Sequence, residues 1–201
     1  MNMLRRTSLF GLLPCLSLPA TALAHTGGMT HSFLAGALHP LGGLDHLLAM
    51  LAVGLLAGCG AGRLRWGLPA SFVMAMVAGA TVGAKGVGVP FVEMGIAASL
   101  VAFGAALVWK RAFHAPMLVA LTAGFALFHG HAHGMEMGVD LSATSYGLGF
   151  VLSTALLHAF GVLLATRAWV AGQQRTMARW GGSAIAAVGV GSVGVLLVVP
   201  M

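Results

Sequence analysis

Long apolar stretches, each close to the length that crosses a lipid bilayer, dominate the chain. A transmembrane helix needs about 20 consecutive apolar residues to span the hydrocarbon core. Six such stretches follow the first 24 residues, and they predict six transmembrane helices at 41–60, 66–84, 91–109, 116–135, 146–168 and 181–199. The pattern therefore predicts an all-α integral membrane protein in which residues 25–201 form one compact six-helix bundle.

The first 24 residues follow a different pattern. Arg5 and Arg6 precede an apolar stretch, which ends in the small-residue sequence Ala22-Leu23-Ala24. This order is typical of a secretory signal peptide, so we expect residues 1–24 to be removed; an uncleaved anchor helix is the alternative. Cleavage would leave Cys59 as the one remaining cysteine, which excludes an internal disulfide and a multi-cysteine metal cage.

The charges between the predicted helices indicate an orientation. If the mature N-terminus lies outside, the linkers on the inner side carry seven basic residues, and of the basic linker residues Lys85 alone falls outside. The seven are Arg63, Arg65, Lys110, Arg111, Arg167, Arg175 and Arg179. Cytoplasmic loops of membrane proteins are enriched in Lys and Arg, and tryptophans favour the interface. All four tryptophans flank the same inner linkers (Trp66, Trp109, Trp169 and Trp180). We therefore expect both mature termini to be periplasmic.

Composition excludes several classes of protein. Of the 201 residues, 59% are hydrophobic and 7% are charged, whereas about a quarter of a soluble domain is charged. A soluble enzyme is therefore excluded. The ten Lys and Arg outnumber the four Asp and Glu, but they are scattered rather than gathered into a stripe, so nucleic acid is not an expected partner. Nine histidines are the feature that apolar bulk does not explain.

Ionisable side chains fall inside the predicted spans at one depth. Such residues cost several kcal/mol in a bilayer and indicate a functional site. The first span opens with the segment 39–46, followed by Met50; the fourth ends with the segment 128–136; Glu93 lies near the start of the third. With the predicted orientation, all three groups lie in the outer half of the membrane.

Helical spacing predicts which of these side chains share a face. His129 and His133 are four residues apart, and Glu136 lies one turn further along the same stripe. His131 points to the opposite side unless the neighbouring glycines distort the helix.

His39 and His46 are separated by about 10 Å along an ideal helix, too far for one ion. Two local arrangements would bring His39 inward: a helix that starts at Pro40 with His39 as its cap, or a break at Gly42–Gly43.

The chemistry of this set indicates a divalent metal ion. Neutral imidazole suits nickel, cobalt, copper and zinc, and carboxylates orient imidazoles and adjust the charge. The predicted ligands are His39, Asp45, His46, His129, His133 and Glu136. Additional candidates are His25, His31, Glu93, His131, His158 and Met50.

Some of these additional candidates have two interpretations. His158 is either a deeper way-station for the ion or a packing residue. The methionines near the middle of the bundle, Met50 among them, could serve a soft ion but are more often packing residues. His25, with a free amine after cleavage, is either part of a metal-capture arm with His31 or part of an unstructured terminus.

The chain contains the segments His39-x5-Asp45-His46 and Phe128-His129-Gly130-His131-Ala132-His133-Gly134-Met135-Glu136. These two segments resemble the motifs of the HupE/UreJ family of bacterial nickel permeases. The signal peptide, the six spans and both motifs match in order, so the resemblance covers essentially the whole chain. It implies uptake of nickel, or of cobalt, across the bacterial inner membrane to supply a hydrogenase or urease. It also implies that the six predicted ligands are the functional set.

We therefore predict a secondary permease rather than an enzyme, with the metal ion as substrate and the lipid bilayer as its other partner. Cobalt, zinc and copper are alternatives to nickel, no organic cofactor is expected, and a homo-oligomer is left open. The chain lacks ATPase motifs, so an ion gradient, the membrane potential or a partner would drive transport. Two other classes compete: an intramembrane metalloenzyme that uses the same histidines, and a bis-histidine haem anchor.

Overall fold

A computed structural model describes residues 32–60, 62–109, 113–137 and 141–198. These residues form seven helices and, within the described ranges, no strand. The helices are α1 (Phe33–Gly42), α2 (Leu44–Cys59), α3 (Leu64–Ala84), α4 (Val92–Val108), α5 (Ala115–Met137), α6 (Leu141–Val170) and α7 (Gln174–Val198). The predicted all-α membrane class is confirmed. The predicted signal peptide 1–24 and the candidates His25 and His31 lie outside the described residues.

The number of membrane-crossing helices differs from the prediction. By length and composition, α3, α5, α6 and α7 can each cross a bilayer, and α1 with α2 passes the same test as a bent pair. The described chain thus has four such helices, or five with the bent pair, and is a multi-pass membrane protein. Helix α4 is apolar and matches the predicted range 91–109, but with 17 residues it is shorter than α3, α5, α6 and α7, so six spans are not confirmed.

The first predicted span is wrong as one continuous helix. It is broken at Gly43, whose backbone is extended (φ −105°, ψ 120°), and α1 and α2 meet at 87°. Helix α1 starts well before residue 41, at Phe33, because the Ser32 hydroxyl accepts a hydrogen bond from the Ala35 N–H at 3.1 Å and caps the first turn. Pro40 lies inside α1 and not at its first position, so of the two predicted arrangements the glycine break is the correct one.

Interlocking glycines hold α5 against α3. A methyl group on Gly79 or Gly83 of α3 would collide with the backbone of α5, and one on Gly130 or Gly134 of α5 would collide with the backbone of α3. Small residues at four-residue spacing let two helices approach closely and pack by van der Waals contact in a membrane. This contact fixes the helix that carries the second histidine motif.

Helices α2 and α6 meet in the same way. Gly54 of α2 faces the carbonyl of His158 and the Cα of Gly161, and Gly58 packs on Val162 and Ala165. Nearer the glycine break, Gly36 of α1 lies against the backbone of Tyr146, and Gly149 of α6 lies against that of Phe33. Helix α6 therefore supports both halves of the broken helix.

The end of the bundle remote from Gly43 is basic and aromatic. It carries exposed tryptophans at the ends of α3, α4, α6 and α7 (Trp66, Trp109, Trp169 and Trp180), together with the arginines of the described linkers and helix ends. Between the two ends, the core is filled by large buried side chains, including Phe72, Phe103, Leu68 and Leu100.

Candidate metal-binding site

Four imidazole rings from three helices meet beside the glycine break. The ring centroid of His133 on α5 lies 4.6 Å from that of His39 on α1 and 4.6 Å from that of His46 on α2. The His129 ring, one turn before His133, lies 4.9 Å from His46. The separation between His39 and His46 is 6.4 Å, well below the spacing along a continuous helix, because the bend turns α1 back over the start of α2.

Asp45 fixes the orientation of His46. One carboxylate oxygen accepts a hydrogen bond from the backbone N–H of His46 at 2.7 Å and lies 2.8 Å from Nδ1 of the ring. A carboxylate at this distance only accepts, so Nδ1 carries the proton. The lone pair is then on Nε2, which is buried and has no hydrogen-bond partner among the described residues.

Ser99 on α4 orients the ring of His129 in a similar way. Its hydroxyl donates to the carbonyl of Ile96 at 2.6 Å, so the oxygen is left to accept from Nε2 of His129, 3.0 Å away. The lone pair of His129 is therefore on Nδ1, which is buried and unpartnered within the described chain. Ser99 was not predicted from the sequence, because a serine inside an apolar span carries no distinctive spacing.

His39, His133 and Glu136 form a triad suited to a metal ion. One potential ligand atom from each lies within 4.8 Å of the other two, and Nδ1 of His133 is 3.7 Å from a carboxylate oxygen of Glu136. The Glu136 side chain is 64% exposed, whereas that of His133 is 4% exposed. An ion that arrives from water would thus meet the carboxylate before the buried imidazole.

Helix α6 supplies an aromatic wall that sequence reasoning missed. The Phe150 ring lies 4.3 Å from that of His133 and 5.9 Å from that of His39, and Tyr146 lies 5.8 Å from His39. A cavity of about 490 Å³ adjoins this wall, with His133, Phe150 and Lys85 among its lining residues. These rings pack against His39 and His133.

The structure thus brings the six predicted ligands into one cluster beside the glycine break. Nε2 of His131 lies 2.6 Å from the carbonyl of Val87, so His131 faces the α3–α4 linker, on the side opposite the cluster as its spacing predicts. Glu93 lies in the first turn of α4, the helix that carries Ser99. Met50 and His158 lie deeper in the bundle.

Several imidazole nitrogens of the cluster lie outside any hydrogen-bond network of the described residues. Nε2 of His46, Nδ1 of His129 and both ring nitrogens of His133 are buried without a partner in the described part of the chain. Each unsatisfied buried polar group costs about 1–3 kcal/mol. A neutral imidazole has one lone pair, so a divalent cation would be bound by one nitrogen each of His46, His129 and His133, which is the chemistry expected of imidazole and carboxylate sites.

The fold and the site together define a multi-pass helical membrane protein with a buried cluster of histidines and carboxylates. Comparison with known proteins identifies its family. The family model described as HupE / UreJ protein matches residues 13–192, so the chain belongs to this family. It is similar to Protein HupE of Rhizobium leguminosarum bv. viciae, with 39% identity over 178 residues, which are 88% of this chain and 92% of that protein. No solved structure matches the chain.

Proposed function

We propose that this protein is a secondary permease that carries a divalent transition-metal ion, with nickel as the preferred substrate and cobalt as the closest alternative. The observation that carries the proposal is the contact of the His133 ring with the rings of His39 and His46, which come from three helices. Ring nitrogens of His46 and His133 are buried and have no hydrogen-bond partner among the described residues. Membership in the HupE/UreJ family, which is associated with nickel or cobalt uptake for hydrogenase or urease, supports the choice of ion.

The charge distribution supports an orientation with the histidine cluster on the periplasmic side of the bacterial inner membrane. The linkers and helix ends at the opposite end of the bundle carry Arg63, Arg65, Arg167, Arg175 and Arg179, and positive loops are retained in the cytoplasm. The exposed Glu136 would then face the periplasm, from which the ion is collected.

With this orientation, the membrane potential is sufficient to drive uptake of the ion. An inside-negative potential favours inward movement of a cation by about 2.3 kcal/mol per charge per 100 mV. A divalent ion gains twice that amount. Binding in the cluster needs only to be moderate, because a transport site has to release what it captures.

The experiment is metal influx into proteoliposomes that contain the purified full chain and a metal-sensitive dye. We expect Ni²⁺ influx that rises when a potassium gradient and valinomycin make the lumen negative, and that is lost in His46→Ala and His133→Ala. His114→Ala is the matched control, because His114 is exposed and lies just before α5. Comparison of Ni²⁺ with Co²⁺, Zn²⁺ and Cu²⁺ establishes the preference.

An intramembrane metalloenzyme is the competing function, and one observation favours it. The exposed carboxylate of Glu136 beside His133 has the position of a general base next to a metal-bound water. Tight Ni²⁺ binding with no influx at any potential would contradict the permease, and turnover without influx would support the enzyme.

A further inference from the structure

A second group of potential ligands lies deeper in the bundle. The hydroxyl of Thr154 on α6 donates toward the sulfur of Met50 on α2 at 3.4 Å and toward that of Met76 on α3 at 3.9 Å. His158 follows Thr154 by four residues and therefore shares its helix face. We call Met50, Met76, Thr154 and His158 the thioether layer; all four are almost completely buried.

This layer lies directly below the histidine cluster. Met50 is one turn further along α2 than His46, and Thr154 is one turn further along α6 than Phe150, which contacts His133. The Phe72 ring lies between the two levels, 5.7 Å from the ring of His129 and 5.1 Å from that of His158. A continuous row of ring contacts therefore leads from the histidine cluster to the thioether layer. It passes through His133, His46, His129, Phe72 and His158 in that order.

Two parallel contacts join α3 to α6 at this level. Phe72 and Met76 are four residues apart on α3, as Thr154 and His158 are on α6. Phe72 contacts His158, and the sulfur of Met76 reaches the hydroxyl of Thr154. On the α2 side, Gly54 lets the backbone pack against the carbonyl of His158, so α2 lies close to the layer.

His158 distinguishes this layer from ordinary apolar packing. Its side chain is 1% exposed, and neither ring nitrogen has a hydrogen-bond partner in the described ranges of the chain. A phenylalanine would fill the same space without that unfavourable term. An unpartnered buried imidazole, one helical turn from a hydroxyl that contacts two thioether sulfurs, has the composition of a ligand set.

We infer that the thioether layer is a second ion-binding station, in which the His158 imidazole, the two thioether sulfurs and the Thr154 hydroxyl receive the metal ion after it leaves the histidine cluster. The inference rests on the proposed permease function. None of the three carboxylates of the described residues belongs to the layer: Asp45 and Glu136 contact histidines of the cluster, and Glu93 lies in the first turn of α4. The station therefore has only neutral donors. Neutral donors hold a divalent ion weakly, which suits passage and release.

The donor set makes the station detectable by itself. Thioether sulfur favours soft monovalent ions, so Ag⁺ is a suitable probe in detergent-solubilised full chain. We expect X-ray absorption at the silver edge to show mixed sulfur and nitrogen ligation in the wild type. The sulfur contribution should be lost in the double variant Met50→Leu/Met76→Leu and the nitrogen contribution reduced in His158→Phe. Met74→Leu, an exposed position on the same helix, and His114→Ala are the matched controls and should leave both unchanged.

The same variants are then assayed for Ni²⁺ influx and equilibrium binding. We expect His158→Phe and Met50→Leu/Met76→Leu to reduce influx at least about tenfold, a size common for altered metal environments, while the affinity of the histidine cluster changes by less than about threefold. Met→Leu keeps the side-chain volume, and His158→Phe keeps a flat ring but is somewhat larger, so thermal unfolding is measured to test that both variants fold. Influx within twofold of the wild type in both, or a silver spectrum unaffected by them, would overturn the inference. Sulfur-ligated silver in a wild type without Ni²⁺ influx would instead contradict the permease and leave the second binding site standing.

Discussion

Nδ1 of His46 donates a hydrogen bond to the carboxylate of Asp45 over 2.8 Å. This one contact determines which nitrogen of His46 is free to bind an ion, because a neutral imidazole has a single lone pair. The same carboxylate accepts the backbone N–H of His46, so the ring is tied to the first turn of α2. Asp45 is therefore an orienting residue as well as a source of negative charge.

Asp45→Asn is expected to weaken Ni²⁺ binding by about 10-fold to 100-fold. This range is typical when a metal-binding histidine loses the hydrogen-bond partner of its other ring nitrogen. The amide keeps the size of the side chain but loses its charge, and its NH₂ group can turn toward the ring. Isothermal titration of the purified full chain measures the change. An unaltered affinity would contradict the orienting role.

Ser99→Ala is expected to lower Ni²⁺ affinity by about tenfold, through loss of the acceptor that holds the proton on Nε2 of His129. The matched control is Ser192→Ala. Ser192 also donates to a backbone carbonyl of its own helix, at 3.1 Å, but no histidine bond to it is seen in the described chain. Equal losses of Ni²⁺ affinity in the two variants would contradict a role of the Ser99–His129 hydrogen bond in metal binding.

The site was predictable from the sequence where helical spacing alone decides the geometry. His129, His133 and Glu136 follow one stripe of α5, and the opposite placement of His131 follows from the same rule. The proximity of His39 to His46 was predictable only as a choice between two arrangements, since a double glycine permits a break without requiring one.

The remaining features depend on packing between distant segments. Ser99, Tyr146 and Phe150 contact the cluster from α4 and α6, and nothing in their local sequence marks them. The start of α1 at Phe33 was missed because this short helix is tucked against α6 and is not itself a membrane-length apolar run. Likewise, α7 begins at Gln174 rather than at residue 181, since polar residues extend the helix beyond its apolar part.

Gly43→Ala is expected to impair the cluster through the added methyl group. A Cβ at this position would lie 2.9 Å from the Asp45 carboxylate and 3.3 Å from Nδ1 of His46, so the hydrogen-bonded pair would have to shift. We expect a loss of Ni²⁺ affinity of about tenfold, as for other disturbed second-sphere contacts.

The neighbouring Gly42→Ala serves as its control, because a methyl group there meets nothing within 4 Å. It should bind Ni²⁺ within twofold of the wild type. If both alanines weaken binding alike, the effect belongs to the flexibility of the bend and not to the Asp45–His46 contact.

Gly130→Ala is expected to destabilise the bundle by about 1–3 kcal/mol, the usual cost of overpacking, because its methyl group would collide with the backbone of Met76 on α3. Gly124→Ala, on the same helix but with open space around it, should have little effect. Thermal unfolding in detergent compares the two. Equal melting temperatures would contradict the close α3–α5 contact.

The central claim is that His46 and His133 bind the same ion, and a double-mutant cycle of Ni²⁺ affinity tests it most directly. The full chain is titrated as wild type, His46→Ala, His133→Ala and the double variant, with His131→Ala as a control whose ring bonds to Val87 instead. If one ion bridges the two rings, each single substitution greatly weakens binding, the double variant is little worse than either, and His131→Ala binds normally. Strictly additive losses, or single variants that bind Ni²⁺ as the wild type does, would contradict the account.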